Sequence, residues 1–345
     1  MAGGLERQLV RVAKELSECE FKILIITYDN DTASSFYIIP EKIDWIKCGN
    51  GLIPHQSANI FKRLKQICEL RKVLINSKVT HLITFHHGLY PRSFLATLFL
   101  PIKKIVSERN SLLNYKYIKL RKFNLGFFSL FLADKITVQL ETYINDYPKL
   151  LRNKIKVVPN LLSINETYKE PMLDKKTVTM MGRLCPQKNF SPILDQCLLE
   201  PDISKKLKIR IAGEGYLRIY FEKKYKKLID NGTLELLGNI TNTEEFLSSS
   251  SIFCFPSLWE GYPNSLVEAL GLGLPVVLSS RLMNLCDFVE DDFNGKIVED
   301  HKYLVTILKM LKNRDQLRSM SKNSFKKYSL LKTSSSINNW VDLLY

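Results

Sequence analysis

Residues 256–279 read Pro256-Ser-Leu-Trp-Glu260-Gly-Tyr-Pro-Asn-Ser265-Leu-Val-Glu268-Ala-Leu-Gly-Leu-Gly273-Leu-Pro275-Val-Val-Leu-Ser279. The apolar run Ile252 to Phe255 enters this stretch, and Glu260, Gly261, Pro263 and Asn264 have the chemistry of a turn. The spacing predicts a short helix over Ser265 to Leu272, stopped by Gly273 and barred from continuing by Pro275. Val276–Leu278 then reads as a buried strand. A helix that starts at the tip of a loop offers unpaired N–H groups and the positive end of its dipole, which suits a phosphate. Glu260 and Glu268 flank that tip. Carboxylates beside an anion site accept hydrogen bonds from hydroxyls, so the pattern points to a ligand carrying both diphosphate and sugar. A plainer reading stands beside it: Ser265-x-x-Glu268 is also a capping-box pattern.

Working outward, strands and helices alternate on both sides of this stretch, as in parallel sheets covered by helices. Strands are expected at Phe21–Thr27, Thr80–Phe85, Lys104–Ser107, Lys135–Gln139 and Lys154–Val158, with short strands or extended pieces at Phe36–Ile39 and Ile43–Cys48. The helices between them are Ser57–Ile75, Pro91–Leu100, Tyr117–Ala133 and Glu141–Leu151. Residues 161–175 lack periodicity and read as a linker. Alternation restarts with strands at Thr177–Met181, Leu207–Ala212 and Leu234–Leu237 and helices at Phe190–Leu199, Leu217–Asp230 and Thr243–Leu247. Helices over 301–312, 314–328 and 335–345 close the chain. The length suits two domains. They are placed at 1–160 and 176–328, with 329–345 as a helix able to cross back to the first.

Charge is uneven. Residues 1–160 hold 25 basic and 13 acidic side chains, a balance of +12, against +3 for 161–345. The excess is densest from Lys103 to Lys122, where Tyr115, Tyr117 and Phe123 are interleaved. Such a stretch suits an anionic membrane surface better than a nucleic acid. Seven cysteines without a C-x-x-C pair fit buried thiols rather than disulfides or zinc. No secretory leader pattern follows Met1, and the apolar run Phe123–Ala133 is too short to span a bilayer.

Other chemistry lies at strand ends. Gly182-Arg183-Leu-Cys-Pro-Gln-Lys188 follows a strand, and its two cations could pinch a diphosphate, Arg bidentately and Lys as a point charge. Gly213-Glu214-Gly215 and Leu237-Gly238-Asn239-Ile240 are further strand-end turns. His86 and His87 end a first-domain strand. Asp29-Asn30-Asp31 is a D-x-D triplet, but as turn chemistry in a polar loop it is not expected to hold a metal. Gly3 and Gly4 open the first helical pattern, so a phosphate could approach the backbone there. No strand precedes that glycine pair, and a doubly wound sheet would need one. The expectation is a start about 10–15 residues late, judged from ordinary strand and loop lengths.

The string from Glu260 through Glu268 to Val277 resembles the E-x7-E signature of retaining, nucleotide-sugar-dependent glycosyltransferases of family 4. Gly182-Arg183-Leu through Lys188 resembles that family's G-R-L-x-x-x-K segment, and Gly3-Gly4-Leu-Glu-Arg7 its glycine loop. Ser107-Glu108-Arg109-Asn110 looks like a segment in members acting on lipid-linked sugars. The resemblance implies the GT-B fold, an α/β architecture of two Rossmann-like doubly wound domains facing a cleft. It implies that Arg183 and Lys188 stabilise the leaving nucleoside diphosphate in place of a metal. Glu268 would hold the ribose hydroxyls, Glu260 the hexose hydroxyls, and Ile240 the base. The backbone from Gly261 through Tyr262, Pro263, Asn264 and Ser265 to Leu266 would meet the phosphates, with Gly3, Gly4 and Glu214 also at the donor. One of His86 and His87 would lie beside the reacting carbon.

The implied activity is metal- and cofactor-free transfer of a hexose or N-acetylhexosamine, from a UDP-sugar above all, to a lipid-linked glycan acceptor. Bacterial surface-polysaccharide synthesis is the setting. The enzyme would be cytoplasmic and peripheral to the inner membrane surface through its basic first domain, with no nucleic-acid partner. Two alternatives compete: a nucleotide-sugar epimerase on the same fold, and a basic non-catalytic membrane- or nucleic-acid-binding protein.

Overall fold

The computed structural model describes residues 4–49, 59–112, 125–162, 167–285 and 287–345. The chain forms two compact units, residues 1–161 with 335–345, and residues 162–334.

In the first unit, helix α1 (Gly4–Glu18) buries Val12, Ala13 and Leu16 along one face. Strands β1 (Leu24–Thr27) and β2 (Asp44–Lys47) pair in parallel as a two-stranded sheet. A second, four-stranded parallel sheet has the order β3-β4-β5-β6: His81–Phe85, Lys103–Ser107, Lys135–Val138 and Ile155–Val157. Helices α2 (Ile60–Asn76), α3 (Tyr90–Thr97) and α4 (Leu125–Phe131) accompany it. The Asn59 side chain caps α2 by accepting from the Lys62 N–H.

The second unit is one six-stranded parallel sheet. Its strands are β7 (Thr177–Met181), β8 (Lys208–Ala212), β9 (Leu234–Gly238), β10 (Ile252–Phe255), β11 (Val276–Ser279) and β12 (Gly295–Val298). Their order is β12-β11-β10-β7-β8-β9. The central strands are buried on both faces, which is why they read as unbroken apolar runs. Helices α5 (Ser191–Leu199), α6 (Arg218–Lys224), α7 (Asn264–Gly271), α8 (Tyr303–Lys312) and α9 (Arg314–Ser334) belong to this unit. Ile193, Cys197, Ile209, Ile252, Tyr303 and Ile307 belong to its largest apolar core. A last helix, α10 (Asn338–Val341), returns to the first unit.

Several expected elements differ. Phe36–Ile39 is not a strand. Glu141–Leu151 is two short 3-10 segments, Glu141–Asp146 and Lys149–Lys154, parted at Tyr147-Pro148. Proline has no N–H to donate and pushes its predecessor into extended backbone, and Tyr147 sits at φ −94°, ψ 147°. Leu217–Asp230 is broken at Tyr225 into α6 and a short five-residue helix over Lys226–Asp230. The helix expected over 314–328 runs on to Ser334. Of Tyr117–Ala133, residues 117–124 lie outside the described residues, as do 57 and 58 of Ser57–Ile75.

Candidate functional site

Sheet order creates the site. Chain order runs from β7 outward through β8 and β9 on one side, and from β10 outward through β11 and β12 on the other. The reversal falls between neighbours β7 and β10. Loops leaving their carboxyl ends therefore diverge and leave a crevice, the usual ligand position in such sheets. The loop after β7 carries Arg183 and Lys188; the loop after β10 carries Glu260 and leads into α7.

The two loops are tied together. The Leu258 N–H donates to the Gln187 carbonyl at 2.9 Å. The Gln187 amide donates to the Trp259 carbonyl at 2.8 Å, and the Asn189 amide to the Pro256 carbonyl at 3.2 Å. At their junction Lys188 Nζ donates to Glu260 Oε1 at 2.6 Å, with the two side chains only 14% and 7% exposed. The ammonium also lies 5.5 Å from the centre of the Phe255 ring. Gly182 makes this lysine path possible. It sits at φ +155°, and a Cβ there would lie 2.7 Å from Lys188 Cε. Arg183 is exposed and makes no ion pair among the described residues.

The turn Gly213-Glu214-Gly215 supports the loop from beneath. Leu184 N–H donates to the Glu214 carbonyl at 3.0 Å, and a Cβ on Gly215 would come within 2.3 Å of the Leu184 carbonyl oxygen. The Glu214 carboxylate is exposed and held by Arg218 at 2.7 Å. Ile240, half-buried, follows β9. That strand is two places from β7, which puts its end roughly 10 Å away along the same sheet edge.

Helix α7 begins at Asn264, one residue earlier than the spacing predicts, behind Pro263 and with no side-chain cap bond. Ser265 therefore lies inside the first turn rather than at the cap, and the capping box does not form. Gly261, Tyr262 and Pro263 are buried, and Asn264 and Ser265 half-buried. Tyr262 is fixed edge-on against Phe288, with ring centres 5.7 Å apart. Leu266 is fully buried, and Glu268 is half-buried on the second turn.

In the first unit, β3 and β4 are parallel neighbours that pair Phe85 with Ser107. His86 and Glu108 thus leave the sheet side by side. His86 takes φ 83°, and its Nδ1 accepts from the Gly88 N–H at 3.1 Å. That conformation turns His87 inward. Its ring is fully buried, with Nδ1 3.7 Å from Glu108 Oε2 and Nε2 3.3 Å from the Gly126 carbonyl. Burial pulls the imidazole down to about 4; it also lowers His86. Glu108 Oε1 accepts from the Arg109 and Asn110 N–H groups at 2.8 and 3.1 Å. Arg109 enters the interior, lies 4.5 Å from the Phe85 ring, and donates to Asn160 at 2.8 Å. Burial draws it down to about 9.

The structure therefore joins Lys188 to Glu260 directly and sets Arg183, Ile240 and α7 along the same sheet edge. Gly4 opens α1, while Gly3 lies outside the described residues. Of the stretch from Lys103 to Lys122, Lys104 pairs with Asp134 at 3.2 Å and Arg109 is internal, while 113–122 lie outside the described residues. Among the described residues no group of three His, Cys, Asp or Glu gathers to hold a metal, and no helix is long and apolar enough to cross a membrane. Sequence reasoning missed Gln187, Asn189 and Phe255, which fix the lysine loop. Only Asn189 left a signal: asparagine tolerates the left-handed backbone it adopts at φ 50°.

Comparison with known proteins gives a consistent result. Residues 165–327 match the family described as glycosyl transferases group 1. A Campylobacter jejuni protein is 26% identical over 94% of this chain and 90% of its own length. It is named GalNAc-alpha-(1->4)-GalNAc-alpha-(1->3)-diNAcBac-PP-undecaprenol alpha-1,4-N-acetyl-D-galactosaminyltransferase. The UDP-Gal:alpha-D-GlcNAc-diphosphoundecaprenol alpha-1,3-galactosyltransferase of Escherichia coli is 30% identical over 49% of this chain and 48% of its own. Among solved structures, Anabaena HepE in complex with UDP and glucose superposes with a TM-score of 0.79. It is 15% identical, and the match covers 100% of this chain and 96% of that one. The two parallel-sheet units thus have the GT-B fold.

Proposed function

We propose, from the match of residues 165–327 to the family described as glycosyl transferases group 1, that the chain is a retaining, metal-independent glycosyltransferase. It moves a hexose or N-acetylhexosamine from a UDP-sugar to a lipid-linked glycan in bacterial surface-polysaccharide synthesis. It works at the inner face of the membrane. The observation that carries this reading is the β7–β10 crevice, where Lys188 and Glu260 meet beside the start of α7. The names of two relatives support this choice: both name an undecaprenol-diphosphate-linked sugar, and one names UDP-Gal.

In this reading the uridine lies along the sheet edge toward Ile240, and Glu268 accepts from the ribose hydroxyls. Arg183, Lys188 and the first N–H groups of α7 hold the diphosphate. Glu260 accepts from the hydroxyls of the transferred sugar. The anomeric carbon–oxygen bond breaks with its electron pair passing to the diphosphate, where the cations and the helix N-terminus stabilise the growing charge. The acceptor hydroxyl attacks from the same face, and its proton goes to the departing phosphate oxygen. Configuration is thereby retained without a protein nucleophile.

The test is a screen of nucleotide-sugars against lipid-linked acceptors, with the anomeric configuration of the product read by NMR. Lys188→Ala and Glu268→Ala are each expected to lower kcat/KM by about 10²–10³-fold with unfolding curves near the wild type. An inverted product would overturn the retaining assignment, and full activity in either variant would overturn the site.

A further inference from the structure

Helix α2 carries two apolar stripes, and the core of the first unit uses one of them. Leu70 and Leu74 are buried and join the apolar cluster that includes Ala96 and Ile102. The second stripe faces outward. Phe61, Leu64, Cys68 and Ile75 recur at intervals of three, four and seven residues, which sets them along one line of a helix. All four are exposed, Phe61 at 77%, Leu64 at 53% and Ile75 at 50%. Lys65 and Lys72, also exposed, run beside that line, each four residues after one of its members. Over its whole length the helix holds five basic side chains and one acidic.

The helix is not free to roll and hide this stripe. Arg71 donates to the carbonyls of Ala96 and Leu98 at 3.0 and 2.7 Å, and Arg92 donates to the buried Gln66 amide oxygen at 3.0 Å. The Arg71 bonds also bring the end of α3 against α2, and with it Phe99. That residue takes φ 60°, a backbone unfavourable for a bulky side chain, and its ring is 99% exposed. Exposed apolar residues scattered singly are ordinary, but a line of them on a fixed helix, with a fully exposed phenyl beside it, marks an interaction surface.

We propose that this face of α2, with Phe99, docks the first unit onto an anionic bilayer surface, a role that rests on the lipid-linked acceptor of the reading above. The helix lies in the plane of the interface. Phe61, Leu64, Cys68, Ile75 and Phe99 enter the boundary between headgroups and acyl chains, and Lys65 and Lys72 stay at the level of the lipid phosphates. Charge selects this occupant. The lysines beside the stripe, and the balance of +12 over residues 1–160, complement anionic headgroups. A second copy meeting the same face about a two-fold axis would instead set Lys65 and Lys72 against their own counterparts. Docking by this face holds the enzyme where a lipid-linked acceptor presents its sugar.

Flotation of the full chain with vesicles of phosphatidylcholine, with and without phosphatidylglycerol, tests it. The wild type is expected to float with the anionic vesicles and to be released by salt. Phe61→Ser combined with Leu64→Ser should lower partitioning by about tenfold or more. Lys65→Gln combined with Lys72→Gln should lower it by about fivefold for each charge removed. Leu330→Ser, at an exposed leucine on α9 of the second unit, should leave it unchanged. The two pairs probe one face by different forces, so either serves if the other fails to fold. Wild-type flotation in both folded pairs would overturn the α2 face and leave the membrane location standing. Equal binding to neutral and anionic vesicles would overturn the choice of an anionic surface. A wild-type dimer that the Phe61/Leu64 pair abolishes while vesicle binding persists would assign the face to a second copy and overturn the proposal. A wild type that floats with neither vesicle would overturn both the face and the membrane location, while UDP binding measured by calorimetry tests the donor site separately.

Discussion

His87 shows how one residue can be chemically conspicuous and yet belong to the interior. Its ring is closed off from solvent between Glu108 and the Gly126 carbonyl. Burial outweighs the hydrogen bond to the Gly126 carbonyl, and the imidazole is held near 4 against an ordinary value of about 6.5. Between those values the unfolded chain binds a proton that the native state refuses. Stability is thus complete above about pH 6.5 and is lost as the pH falls toward 4, by up to about 3 kcal/mol from this one group. Urea unfolding at pH 7.5 and pH 5 should show that loss, and His87→Gln should flatten the difference. The histidine pair was visible in the sequence, but the roles of its members were not. The strand ends at His86 in a left-handed backbone, and that single dihedral decides which ring turns inward.

At the scale of elements, α7 illustrates both the reach of local patterning and its edge. Gly273, at φ 69°, and Pro275 bound the helix as the spacing predicts. Its start is set by Pro263 rather than by the serine. Its stability comes from the buried face, where Leu266 and Leu270 have no solvent exposure. Leu270→Ala is expected to cost about 2–5 kcal/mol in urea denaturation, from lost burial and the cavity left behind. The misread elements divide by cause. Pro148 is plain in the sequence and accounts for the break before it. The break at Tyr225 has a distant partner: its buried hydroxyl donates to Asp195 at 2.9 Å. Helix α9 continues past its expected end at Tyr328 through Ser329-Leu-Leu-Lys-Thr-Ser334.

At the scale of the molecule, the chain's final segment completes its first unit. Trp340 is fully buried and stacks on Phe85 at 5.5 Å, and Arg109 lies 5.0 Å from its ring. Lys135 donates to the carbonyls of Asp342 and Leu343 at 3.2 Å. Gln8 of α1 makes a reciprocal pair with the backbone of Leu161, which fixes the point where the chain leaves that unit. Trp340→Ala should destabilise the first unit by about 3–5 kcal/mol. Hydrogen exchange should then accelerate in β3 and β4, while the second unit's central strands keep their protection. Equal loss of protection in both units would contradict this division.

Strand–helix alternation, the linker composition and the two loop motifs are properties of neighbouring residues, so the sequence by itself determined an α/β chain with parallel sheets. Apolar runs such as Ile252–Phe255 and Val276–Leu278, bounded by turn residues, read as buried strands. Tertiary structure alone decided that β7 lies beside β10, and so that Lys188 meets Glu260 across 72 residues of chain. It decided equally that Arg109 turns inward and that Trp340 joins the first unit. The reason is physical. Periodicity records which side of an element is buried, whereas the choice of partner depends on burial and pairing summed over segments far apart in the chain. The loops at the crevice were legible before the fold was known, but the ion pair that occupies the crevice was not.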